Sequence, residues 1–121
     1  MTTYHPDLAA GRWFTFSLAA QLGNVGSEYE RALQWKQRGD KDRFEHAFAR
    51  MLELIDLTIA DPRWKNHRLK EFTRLREFIC DELYNDTPEF NHSADLREYF
   101  LNFGILARSE RDKALDAVAV L

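Results

Sequence analysis

Between Trp13 and Arg38, apolar side chains recur at helical spacing. Phe14, Leu18, Leu22, Val25, Tyr29, Ala32 and Lys36 follow steps of four, four, three, four, three and four. At about 100° per residue they share one face. The pattern predicts a long amphipathic helix over residues 12–38, ending on the aliphatic stem of Lys36 and stopped by Gly39 and Asp40. A second helix follows over 41–60, with Phe44, Phe48, Met51, Leu52, Ile55, Thr58 and Ile59 inward and Asp42, Glu53 and Asp56 outward. Proline disfavours helical geometry in the residue before it, so Asp61-Pro62 breaks the chain. Asp61 is then placed to cap a third helix over 62–84, with Pro62 at its first position. Leu69, Phe72, Leu75, Ile79 and Leu83 form its seam. Asn85 to His92 read as a loop. A fourth helix over 94–108, capped by Ser93, carries Leu96, Tyr99, Phe100, Phe103 and Ala107 on one face. Residues 109–121 read as a tail or a short further helix.

No stretch alternates with the period of a strand. Four helices with short connections predict an all-α fold: an antiparallel up-down-up-down four-helix bundle with a shorter fourth helix and a C-terminal extension, in one domain over 1–121. A chain of 121 residues buries roughly two-thirds of its unfolded surface, enough for a core without metal or disulfide. The single cysteine, Cys80, leaves no intrachain disulfide and fits a reducing cytoplasm. No run approaches the roughly 18 apolar residues of a membrane span, and Met1 to Gly11 lack the basic and apolar regions of a signal peptide. The expectation is a cytoplasmic protein with no membrane contact.

Gly23 and Gly26 lie inside the first helix, beside its seam and near Ala19. Each costs about 1 kcal/mol relative to alanine. A closely approaching second helix explains that cost, which makes Ala19, Gly23 and Gly26 a close-packing patch. The competing reading is a backbone groove or a hinge. No strand precedes these glycines, so they do not form a phosphate loop.

Charge is unevenly spread. The net charge is −3, which argues against a general nucleic-acid binder. From Arg63 to Arg76, however, six basic side chains stand against one acid, Glu71. Arg63, His67, Lys70 and Arg74 recur at steps of four, three and four, one row on an exposed helix face. Such a row neutralises backbone phosphates, and Trp64 at its base could stack on a base. A solvated face is the plainer alternative. Arg76 interrupts the apolar stripe of helix 3 and needs a partner if buried; Glu28 on helix 1 is the expected one, giving a buried ion pair.

Catalytic chemistry finds little footing. Cys80 has no histidine near it in sequence. Glu89 and His92 alone have the Glu-x-x-His spacing of di-iron bundles, and they fall in the loop; His5, His46 and His67 are unpaired. No metal, cofactor or catalytic residue is expected. Glu53-x-x-Asp56 matches the second half of the carboxylate motif by which all-α nucleotide pyrophosphohydrolases hold magnesium. The first half is missing, since Glu28 and Glu30 diverge on a helix. Apolar surface is more suggestive. Leu101 and Ile105 lie opposite the main face of helix 4, and Trp13 and Trp35 lie off the seam of helix 1. Surplus apolar surface marks an interface, here with a second copy or a helical protein partner.

Five strings carry a resemblance: Gly11-Arg12-Trp13-Phe14, Gln21-Leu22-Gly23-Asn24-Val25-Gly26-Ser27-Glu28, Glu53-Leu54-Ile55-Asp56-Leu57-Thr58, Asp61-Pro62-Arg63-Trp64 and Arg74-Leu75-Arg76-Glu77. Over residues 11–108 the chain resembles small bacterial four-helix-bundle proteins of the ribosomal intervening-sequence type, a group that includes accessory proteins of diversity-generating retroelements. The surplus apolar surface predicts a non-enzymatic accessory or scaffold bundle that self-associates and binds a protein partner, and the resemblance implies a retroelement-type complex as its setting. Nucleic-acid binding through the basic row is the first alternative, and a magnesium-dependent pyrophosphohydrolase the second.

Overall fold

The computed structural model describes residues 3–84 and 93–120. Every regular element among them is helical. A short helix, α1 (Pro6–Ala9), leads into a 3-10 turn over Arg12–Thr15, and four long helices follow: α2 (Leu18–Gln37), α3 (Lys41–Ala60), α4 (Leu69–Tyr84) and α5 (Ser93–Val120). The loop expected over residues 85–92, with Glu89 and His92, lies outside the described residues.

Helix α2 is the axis of the fold, packed mainly against α3 on one side and α5 on the other. Its predicted seam is its buried face: Leu22, Val25, Tyr29 and Ala32 are wholly inaccessible. Met51 and Ile55 from α3 and Phe72 and Ile79 from α4 complete the centre of the core. The turn between α2 and α3 is tight because Gly39 takes the left-handed conformation at φ 73°, which glycine adopts without a steric penalty. Asp40 then caps α3 by accepting from the Arg43 N–H at 3.1 Å.

Three predicted boundaries move, each for a local reason. The first helix does not run unbroken from residue 12. Phe16 is extended, and Ser17 caps α2 by accepting from the Ala20 N–H at 3.1 Å. Helix α4 begins at Leu69 rather than Pro62. Asp61 does not simply cap a helix there: it is drawn fully into the interior, and residues 62–68 form turns around it. The fourth long helix is the longest rather than the shortest, running 28 residues to Val120. Ser109 to Asp112 contain neither glycine nor proline to stop it.

Candidate interaction surface

The segment before α2 is held by a buried polar network. The Trp13 indole N–H donates to Thr58 Oγ1 at 3.1 Å, and Thr58 donates in turn to the Leu54 carbonyl at 2.9 Å. Gln21, wholly buried, donates through Nε2 to the Trp13 carbonyl and to Asp61 Oδ2, both at 2.9 Å. Its Oε1 accepts from the Trp64 indole at 2.9 Å. The Arg63 guanidinium donates to Asp61 Oδ2 and to the Phe16 carbonyl, both at 2.7 Å. Burial by itself would raise the Asp61 carboxyl. The hydrogen bonds from Arg63 and Gln21 and the guanidinium charge outweigh it and hold Asp61 below its ordinary value. Every buried group in the network has a partner, as a buried polar cluster requires.

This network corrects two expectations. Trp13 is 0 % exposed and belongs to the core, because the 3-10 turn folds it back over the end of α3. It is not an interface residue. Arg63 does not join a row with His67, Lys70 and Arg74: it sits in the turn before α4, committed to Asp61 and lying over the Trp64 ring at 4.5 Å. His67 is exposed in the same turn segment. Only Lys70 and Arg74 share the exposed side of α4.

A third expectation also fails. Arg76 pairs with Asp56 at 2.8 Å, and both are well exposed. Glu28 is the buried member of a different cluster, 2.9 Å from Arg31 and 3.3 Å from Arg50. The stripe of α4 is narrower than its sequence suggests, so Arg76 sits at its edge and reaches across to the outside of α3. Glu53 is likewise engaged within the chain. Its carboxylate accepts from the backbone N–H groups of Tyr4 and His5 at 2.8 and 2.6 Å. Glu53 and Asp56 thus serve separate partners, and among the described residues no three His, Cys, Asp or Glu side chains converge as metal ligands. Cys80 is half-buried, and burial pushes its thiol up.

Ala19 is buried. Gly23 and Gly26 face α5: a Cβ on Gly23 would stand 3.5 Å from the Gly104 Cα, and one on Gly26 would strike Phe100. These contacts seat α5 on α2. Ser17 donates to Glu110 at 2.7 Å and Arg97 pairs with Glu30 at 2.7 Å, one at each end of the contact.

Two surfaces stand out among the described residues. The outer side of α5 exposes Leu101 at 61 %, Ile105 at 59 % and Leu115 at 67 %. Leu115 lies in the segment expected to be a tail or a short further helix, and it joins this face because α5 continues through it. Trp35 is half-buried beneath the guanidinium groups of Arg38 and Arg43, 5.2 and 4.7 Å from its ring. The second surface is a groove of about 530 Å³ between α4 and α5, floored by Leu75, Leu96 and Tyr99 and edged by Lys70 and Arg74. The Tyr99 hydroxyl crosses it to donate to Glu71 at 2.8 Å. Burial, and then that bond, raises the Tyr99 phenol and keeps it a donor.

In comparisons with known proteins the chain matches no family model, no curated protein and no solved structure. Among the described residues no helix is long and apolar enough to cross a membrane.

Proposed function

We propose that this chain is a non-enzymatic helical accessory protein that works by associating with itself and with a protein partner, through the outer face of α5. The observation that carries the reading is the row of Leu101, Ile105 and Leu115 exposed on that face. Apolar side chains left exposed along one helix face stabilise a complex when covered and cost solubility when left bare. The polar chemistry is already committed to the fold, which supports the same reading: Glu53, Asp56, Asp61 and Arg63 all hold structural partners. The resemblance of residues 11–108 to intervening-sequence-type bundles supports a partner within a retroelement-type complex. The single cysteine, kept as a free thiol, supports a cytoplasmic location.

Nucleic-acid binding is left with Lys70 and Arg74, which carry no ion pair among the described residues. Light scattering over a rising concentration series tests the main reading. The expected result is a mass above that of one chain, reduced to one chain in the Leu101→Asp, Ile105→Asp variant. A strict monomer at every concentration overturns self-association.

A further inference from the structure

Helix α5 carries a second seam on its outer side. Leu101, Ile105, Arg108, Asp112 and Leu115 follow steps of four, three, four and three. That is the 3.5-residue period on which two helices wrap around each other. All five side chains are exposed. The two charged members, Arg108 and Asp112, have no ion pair among the described residues.

The order of charges discriminates between ways of covering the seam. In a parallel, in-register pair, Arg108 faces Arg108 and Asp112 faces Asp112, so both central layers repel. In an antiparallel pair with its two-fold axis between residues 108 and 112, Arg108 faces Asp112 of the second copy and Ile105 faces Leu115 of the second copy. Symmetry repeats both contacts, so two ion pairs are flanked by two apolar pairs. Sliding one copy by a heptad sets Ile105 against Arg108 of the second copy in one direction and Leu115 against Asp112 in the other. Of these registers, only the first antiparallel one satisfies both charges and sets Ile105 against Leu115.

The shape of the protein agrees with this register. Glu110 meets Ser17, the cap of α2. Beyond that contact every described side chain of α5 is exposed, so this end of the helix has no cover from its own bundle. In the register above, the bare end of each α5 lies along the bundle-backed part of the other. The two bundles are then staggered rather than opposed.

We infer that α5 is a self-association helix whose partner is a second copy of this chain, paired antiparallel with Arg108 against Asp112 and Ile105 against Leu115. The inference rests on the self-association reading above and adds orientation and register to it. Sedimentation equilibrium on the full chain tests it with Arg108→Asp, Asp112→Arg and the double exchange, with circular dichroism to confirm that each variant keeps its helices. Each single change places like charges in both central layers and should weaken the dimer about tenfold or more. The double exchange should restore it. A second arm removes Cys80 (Cys80→Ser) and mixes an Ile105→Cys chain with a Leu115→Cys chain under mild oxidation. The expected product is a cross-linked pair of the two different chains. Single changes without effect on a dimeric parent, or Ile105→Cys cross-linking to itself, overturn the register while leaving self-association standing. A monomeric parent overturns both.

Discussion

Gly26 of α2 lies directly beneath Phe100 of α5, so close that a Cβ on Gly26 would stand 2.5 Å from the Phe100 Cβ. Neither backbone nor a Cβ can yield cheaply there, and α5 must move outward to admit one. Gly26→Ala is therefore expected to destabilise the fold by about 1–3 kcal/mol, the usual cost of overpacking. Gly23 differs: its added Cβ would meet the Gly104 Cα at 3.5 Å, an ordinary contact. Gly23→Ala is expected to stabilise by about 0.5–1 kcal/mol through helix propensity. Urea unfolding of the two variants, read against the unmodified protein, should move in opposite directions.

Much of this packing was legible in the chain itself, because it repeats. The steps through Leu22, Val25, Tyr29 and Ala32, and those through Phe72, Leu75, Ile79 and Leu83, mark buried faces that the structure keeps. Features set by a single distant partner were not legible. Gln21 looks like any polar residue in a helix, yet it links Trp13, Asp61 and Trp64 from the interior. Arg76 has apolar neighbours in its stripe, yet a long flexible side chain at a stripe's edge can reach outward to Asp56. The outer seam of α5 was half-visible in Leu101 and Ile105; it becomes whole only when the helix is seen to continue through Leu115.

The exchange of partners between Arg76 and Glu28 has a measurable consequence. The Arg76–Asp56 pair is exposed on both sides, so Arg76→Ala is expected to cost no more than about 1 kcal/mol. Glu28 is 7 % exposed and serves two arginines, Arg31 and Arg50. Glu28→Ala leaves the half-buried Arg50 without its acceptor and is expected to cost about 1–3 kcal/mol. Thermal unfolding of the two single variants should rank them in that order, and equal losses would contradict it.

Tyr29 offers a gain rather than a loss. Its hydroxyl is buried without a hydrogen-bond partner among the described residues, beside the Phe100 ring at 5.5 Å. Burial, then the nearby Glu82 charge, pushes the phenol up to about 12, so it stays protonated and its unmet donor persists at neutral pH. An unsatisfied buried hydroxyl costs about 1–3 kcal/mol. Tyr29→Phe keeps the ring and removes the debt, and it is expected to stabilise by about 1 kcal/mol. A lower urea midpoint for this variant would contradict the expectation.

Asp61 makes the fold sensitive to acid. Its carboxyl is fully buried, and the hydrogen bonds from Arg63 and Gln21 hold it below its ordinary value of 3.8 despite the opposing effect of burial. A carboxyl with a lowered folded value binds its proton less readily in the native state than in the unfolded chain. Its contribution to stability is therefore complete above 3.8 and is lost as the pH falls through the lower folded value. Asp61→Asn removes the titration along with the negative charge that Arg63 needs. The variant is expected to be less stable than the parent at pH 7, with the difference narrowing below about pH 4. Urea midpoints for both proteins at pH 7, 5, 4 and 3 measure this directly. A difference that stays constant across the series would mean that the carboxyl titrates alike in the folded and unfolded chains.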